Sequence, residues 1–294
     1  MKKISKIRVL LGVLLVGAIA ASSYFLFLGG DRPASVPVKA TLHEGVTYRR
    51  IVRYFPRAIV AHVVTIDTKI KGIQFLVTPA DSNSELPLNA RTTSQFLEEF
   101  GVQIAINGDG FSPWWSRSPA DYYPHAGDPV APLGFTASTG DDYWQGTELD
   151  EGERPTLYIS RRNALNFNDK PNRVYSAISG DRMIVLQGKP ASGPDDSERE
   201  PRTAIGLNKN GRWLYLVVVD GRQPFYSAGI SFADLAQLLV DQGAYTAMSL
   251  DGGGSSTLVI EGVNGAPLVM NSPIDNYIPG RERPVANHFG VLVP

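Results

Sequence analysis

Residues 213–256 read WLYLVVVDGRQPFYSAGISFADLAQLLVDQGAYTAMSLDGGGSS. Trp213–Val219 is a run of apolar and β-branched residues, as a strand requires, and it stops at Asp220-Gly221. Ser231 opens a helix, with Asp234 as a capping-box acid three residues on. Leu235, Leu238 and Leu239 supply its apolar stripe and Gly243 ends it. Tyr245–Leu250 is a second strand, stopping at Asp251-Gly252-Gly253-Gly254. Strand, crossover helix and strand predict a parallel pair. Asp220 and Asp251 then stand at carboxyl ends of strands on one rim, where open α/β sheets bind ligands.

The same grammar extends upstream. Ile59–Asp67 and Ile73–Thr78 read as strands. Thr92 or Thr93 caps a short helix that runs through Phe100 and stops at Gly101. Val102–Ile106 follows as a buried strand ending at Asn107-Gly108-Asp109-Gly110. This helix, glycine, strand and turn parallels the unit ending at Ser256. An internal duplication and a chance likeness of a common unit both account for it. Residues 111–155 are rich in Pro, Trp, Tyr, Gly and Asp without a clear period. Pro190–Pro201, with Asp195, Asp196, Glu198 and Glu200, reads as a solvated, mobile loop. The fold class expected is α+β: one domain, residues 45–294, with a mixed β-sheet, helices and a local parallel β-α-β unit.

The chain has 294 residues, a formal net charge of -1, 43% apolar and 19% charged residues, and no cysteine. Such composition excludes a disordered chain. The missing cysteine excludes disulfides, thiolate metal sites and a cysteine nucleophile. Near-zero charge gives no support for a nucleic-acid partner. The charge is uneven, however. Lys2, Lys3, Lys6 and Arg8 precede Val9 to Leu28, a run without charge. A helix of that length spans roughly 30 Å, a bilayer's hydrocarbon core. The expectation is a signal anchor within residues 1–28, a membrane partner through 9–28, a linker over 29–44 and an extracytoplasmic domain. A cleaved signal peptide with Ala18-Ile19-Ala20 at its cut site is the rival, and the apolar residues 24–28 beyond it favour the anchor. Losing 1–28 removes four of 28 basic residues and none of the 29 acidic ones, leaving a net of -5.

Three successive glycines add no packing and cost backbone entropy. They suit a backbone that must approach a ligand or present N–H groups to an anion. Gly252, Gly253 and Gly254, with the hydroxyls of Ser255 and Ser256, therefore read as a phosphate or sugar cradle beside the Asp251 carboxylate. A tight turn into the strand Thr257–Ile260 is the alternative. Arg202 offers a planar fork for phosphate, or is a surface arginine. Asp220 and Arg222 are an acid and cation for ligand, or a solvated ion pair after a strand. Asn107 hydrogen-bonds a sugar hydroxyl or caps its turn. Phe111, Trp114, Trp115, Tyr122 and Tyr123 stack on sugar faces or pack onto the core. The four histidines have no metal-ligand spacing, so neither a metal nor a cofactor is expected. His62 reads as structural, and His288 stays an open candidate.

Asn107-Gly108, Pro201-Arg202-Thr203-Ala204-Ile205-Gly206, Asp220-Gly221-Arg222-Gln223, Ser227-Ala228-Gly229, Leu250-Asp251-Gly252-Gly253-Gly254-Ser255-Ser256-Thr257 and Arg283-Pro284-Val285-Ala286-Asn287 occur in that order. In this the chain resembles the phosphodiester glycosidase family, whose bacterial members are often labelled exopolysaccharide biosynthesis proteins. The likeness covers roughly residues 45–294 and is dense over 201–290. It implies hydrolysis of the C1–O bond of a sugar-1-phosphodiester within an extracytoplasmic glycan. It favours Asp251, Asp220, Arg202, Arg222 and Asn107 as site residues. Gly110-Phe111 and the tandem tryptophans depart from the family pattern. A phosphate monoester, whose second pKa is about 6, leaves with little help from an acid. The chemistry then needs one placed carboxylate and donors that neutralise phosphate. Asp251 is expected as nucleophile or general base, Asp220 as second carboxylate or orienting group, and Arg202 with Arg222 as phosphate holders. The alternatives are a non-catalytic, membrane-anchored glycan-binding or exopolysaccharide assembly factor, and a metal-dependent phosphodiesterase cutting P–O.

Overall fold

The computed structural model describes residues 10, 12–17, 19, 32–82, 84–147, 154–193 and 197–294. Two antiparallel sheets lie face to face, and a helix covers the outer side of each. The larger sheet has eight strands and includes Val46–Arg53, Ile59–Asp67, Trp213–Val219, Arg202–Leu207, Thr246–Ser249 and Arg182–Leu186, adjacent in that order. The smaller has five strands, including Leu258–Glu261, Ile104–Asn107 and His288–Leu292 in that order.

Alternation along each strand builds the layers. Leu214, Leu216 and Val218 point between the sheets, where they meet Ile104, Ile106, Leu258 and Phe289. Tyr215, Val217 and Val219 point the other way, onto Leu235, Leu238 and Leu239 of the helix Phe232–Gln242. Ala105 and Val259 likewise face Phe96 and Leu97 of the helix Thr93–Phe100. Each such apolar side chain withdrawn from water stabilises the fold by about 1.5–3 kcal/mol.

Both helices end as their sequences dictate. Thr92 accepts from the Gln95 N–H while the Gln95 side chain accepts from the Thr92 N–H, and Gly101 ends the helix in the left-handed conformation. Ser231 caps the second helix and Gly243 closes it at φ 100°. The Asp234 carboxylate does not complete a capping box but pairs with Arg199 at 2.7 Å.

Three expectations need correction. The architecture is mostly β rather than α+β, and the ladder pairings among the described strands are antiparallel rather than mixed. The parallel β-α-β pair does not form. Arg202–Leu207 inserts between Trp213–Val219 and Thr246–Ser249 and pairs antiparallel with both. A strand from upstream in the chain fills the place that the crossover alone assigned to a partner. Thirdly, an N-terminal membrane helix is not found. Residues 10, 12–17 and 19 are helical, but among the described residues no helix is long and apolar enough to cross a membrane. The rest of the expected span 9–28, and Ala18 and Ala20 of the cut site, lie outside those residues. Val38–His43, inside the expected linker, is a strand paired with Val46–Arg53.

The inserted strand has a consequence for the site. Being antiparallel to both neighbours, it leaves them running the same way. The carboxyl ends of Trp213–Val219 and Thr246–Ser249 therefore reach one rim, and Arg202 begins its strand between them, opposite Val219.

Candidate active site

At that rim the two sheets are stitched together. The Asp251 N–H donates to the Gly108 carbonyl at 2.9 Å. The Asn107 amide donates to the Asp251 carbonyl at 2.8 Å, and its oxygen accepts from the Thr203 hydroxyl at 2.7 Å and the Thr257 N–H at 3.2 Å. Asn107 is fully buried and its hydrogen-bonding groups are engaged within the fold. It joins the two turns that resemble each other in sequence and does not line the cleft, a position that suits the turn-capping alternative.

Above the turn opens a cleft of about 900 Å³. Asp251, Gly252, Gly253, Gly254, Arg202 and Arg222 line it, together with Arg283, Glu198, Glu200, Trp114 and Tyr277. Ser255 and Ser256 do not; both are buried beneath the cradle. Each glycine is set against its surroundings more closely than a side chain allows. A Cβ on Gly252 would stand 2.9 Å from the Pro201 carbonyl oxygen and 3.8 Å from Arg202 Nη1. On Gly253, at φ +60°, it would stand 3.0 Å from Arg222 Nη2, and on Gly254 2.7 Å from Arg283 Cζ. The Pro201 carbonyl thus crowds Gly252, while the guanidinium groups of Arg222 and Arg283 lie against Gly253 and Gly254.

The three arginines differ in their partners. Arg222 donates through Nε to Glu200 Oε2, and Arg283 donates to Asp275 Oδ1 at 2.7 Å. Arg202 has no carboxylate or carbonyl partner among the described residues. Its guanidinium packs on the Phe232 ring, 3.8 Å from the centroid, and its Nε is buried without a hydrogen bond. Burial pushes its pKa down, yet an arginine stays charged. A partly desolvated cation at a cleft wall, met by Glu200, Asp181 and Glu198 only through space, is able to take an anion.

Asp251 is half-buried, with Oδ1 accepting from the Gly252 N–H at 2.9 Å. Burial raises its pKa, while the Ser255 hydroxyl, the Arg283 charge and the Gly252 N–H favour the ionised form.

Asp220 is not in the cleft. It is 1% exposed and accepts from the Ser272 N–H at 2.7 Å, Asn271 Nδ2 at 3.1 Å and the Tyr226 hydroxyl at 3.2 Å. His62 Nε2 lies 2.9 Å from Oδ2, the oxygen that also accepts from Tyr226, and His62 Nδ1 lies 2.8 Å from the Tyr48 hydroxyl. That position suits Asp220 as the expected orienting group rather than the second carboxylate. Through Asn271, which also donates to the Ser256 carbonyl at 3.0 Å, it orients the segment that carries Asp251. His62 is structural, as its sequence setting indicated. His288 is buried away from the cleft.

Sequence reasoning missed Arg283, Tyr277, Glu198 and Glu200 as cleft residues. The Arg283-Pro-Val-Ala-Asn motif was the signal for the first. Glu198 and Glu200 stand just before Arg202 but read as solvent loop. Tyr277 had no signal. Of the aromatic stretch, Phe111 and Trp114 reach the cleft, whereas Tyr122 lies under Arg281 and Tyr123 under Trp115.

Residues 100–292, well over half of the chain, match the phosphodiester glycosidase family. The chain belongs to that family. Its fold agrees. The catalytic domain of zebrafish N-acetylglucosamine-1-phosphodiester alpha-N-acetylglucosaminidase, auto-inhibited by its pro-peptide, superposes with a TM-score of 0.59 at 19% identity, covering 91% of this chain and 93% of that one. A hypothetical protein from Synechocystis gives 0.56 at 16% identity, over 90% of this chain and 64% of that one. At such identities the likeness is one of fold. Among curated proteins, the SPbeta prophage-derived uncharacterized protein YomE of Bacillus subtilis (strain 168) is 35% identical over 100 residues. That match spans 34% of this chain and 14% of YomE.

Proposed function

We propose that this phosphodiester glycosidase hydrolyses the C1–O bond of a sugar-1-phosphodiester. Water adds at C1, and the products are a reducing sugar and a phosphate monoester. The observation that carries the reading is the pairing, in one cleft, of the Asp251 carboxylate with the Arg202 guanidinium, which makes no salt bridge among the described residues, over a glycine backbone. A phosphate monoester is a good leaving group once its charge is met. Arg202 meets it, with Arg222 and Arg283 alongside. Asp251 acts on the sugar side as nucleophile or general base. The proposed substrate is a glycan outside the cytoplasm. The basic residues 2–8 ahead of an uncharged run support that setting, as the pattern of a cleavable export signal does.

The test is release of reducing sugar from sugar-1-(methyl phosphate) diesters. The wild-type protein releases it, and Asp251→Asn folds, with an unchanged circular dichroism spectrum, and releases none. A fully active D251N protein sinks the assignment.

A further inference from the structure

A second cleft, of about 850 Å³, adjoins the first, and Leu133 lines both. The two also share a ring. Phe232 carries the Arg202 guanidinium at 3.8 Å from its centroid and that of Arg182 at 4.5 Å, and Arg182 lines the second cleft. Strand order explains the closeness. Arg182–Leu186 and Arg202–Leu207 flank Thr246–Ser249, where Arg182 and Ala204 pair with the same residue, Ser249. Asp181 belongs to the second cleft, yet its charge acts on Arg202 and Asp251 in the first.

The second cleft is cationic. Among its described lining residues Arg154, Lys170 and Arg182 stand against one carboxylate, Asp181. Arg182 donates to Asp181 through Nε at 2.7 Å, and its terminal nitrogens have no hydrogen-bond partner among the described residues. Lys170 is exposed, 4.5 Å from the Phe135 ring centroid, and has no salt bridge among the described residues. Arg154 donates at 2.7 Å to Asp109, a fully buried carboxylate that also accepts from the Gly110 and Gly134 N–H groups at 2.8 Å. That pair fixes the wall between the clefts, since Gly110 lines the first and Gly134 the second. Gln145 and Asn168 add amides beside the cations.

We propose that the second cleft binds a further anionic group of the glycan, a phosphodiester or a uronate carboxylate, while the first holds the phosphodiester that is cut. This rests on the reaction proposed above and narrows its substrate to a polyanionic glycan. Lys170 and Arg182 meet the second anion, the one as a point charge and the other as a planar fork. A substrate with a single charge engages the first cleft alone. Because Lys170 is exposed, salt weakens the contact.

The test uses oligosaccharides of equal length, each with one scissile sugar-1-phosphodiester. One is otherwise neutral, and the others carry a second phosphodiester or a uronate, placed in turn on either side of the scissile bond. The readout is the ratio of kcat/KM for a doubly anionic substrate to that for the singly anionic one, which does not depend on the folded fraction of a variant. In wild type the ratio reaches about tenfold for at least one placement, the scale of one charge-assisted contact, and falls as salt is raised. The anion that gives it identifies the group. Lys170→Glu and Arg182→Gln bring the ratio near unity. Lys209→Glu, the same charge reversal beyond the opposite end of the strand Arg202–Leu207, leaves it high. A ratio near unity in wild type for every placement, one that survives in both cleft variants, or one lost equally in Lys209→Glu overturns the second site and leaves the hydrolytic reading intact. A second arm measures binding of the doubly anionic oligosaccharides to D251N protein by calorimetry, with and without Lys170→Glu. Lysine-dependent binding, when wild type cuts none of the substrates, keeps the second site and overturns the hydrolysis. Binding indifferent to Lys170→Glu overturns the second site.

Discussion

At Arg202 the chain keeps a charged group against Phe232 with no salt bridge or side-chain hydrogen bond among the described residues, and Glu200, Asp181 and Glu198 act on its charge only through space. A buried Nε without a partner is a group that a bound ligand can complete. Arg202→Ala is therefore expected to lower kcat/KM on a sugar-1-phosphodiester by roughly 10²-fold, the scale of losing one charge-stabilising donor. Arg202→Lys should recover only part, since an ammonium keeps the charge and loses the fork. Steady-state kinetics of the two variants checks both statements. The local sequence left both this residue and Asp251 open, as a surface arginine and a tight turn, and only the ordered family motifs favoured them; the fold brings the two to one cleft. For Asp220 the sequence left a second carboxylate and an orienting group both open. Whether a strand-end carboxylate faces ligand or core depends on what folds over it, and here Asn271 and Ser272 arrive from some fifty residues downstream. His288 gives the residue scale its pH dependence. Stacked on Phe96, with the Arg91 charge adding to its desolvation, it is pushed from 6.5 down to about 3. Below pH 6.5 the unfolded chain takes up a proton that the folded one refuses. Stability is thus lost as pH falls from 6.5 towards 3 and is flat above, with a slope of at most about 1.4 kcal/mol per pH unit. Urea midpoints at pH 7 and pH 5 should converge in His288→Asn.

The element that makes the site is the turn 251–256, and its glycines are explained by contact rather than by turn geometry alone. A methyl group on Gly254 would displace Arg283 from Asp275 and Ser255. Gly254→Ala is expected to destabilise the fold by about 1–3 kcal/mol, as overpacking does, and to lower activity further than that loss explains. Thermal unfolding alongside kcat/KM separates the two effects. The elements themselves were largely readable. Thr92 and Gly101, and Ser231 and Gly243, bracket the two helices as capping preferences require. Trp213–Val219 and Ile59–Asp67 have the bounds their apolar runs predicted. Pairing was not readable. A strand–helix–strand reading takes sequence neighbours for spatial neighbours, and Arg202–Leu207 stands between them.

At the scale of the molecule, two sheets each send one strand and one turn to a shared rim, and Asn107 locks the turns together. The arginines and aromatic rings above that rim come from residues 114, 202, 222, 277 and 283. No local pattern could have announced such a convergence; only the closed fold does. On the proposed reading this convergence cuts the sugar C1–O bond and not the P–O bond. The deciding measurement is hydrolysis of a sugar-1-phosphodiester in ¹⁸O-water, with both products examined by mass spectrometry. The label is expected at C1 of the released sugar and not in the phosphate monoester. Label in the phosphate monoester would contradict it.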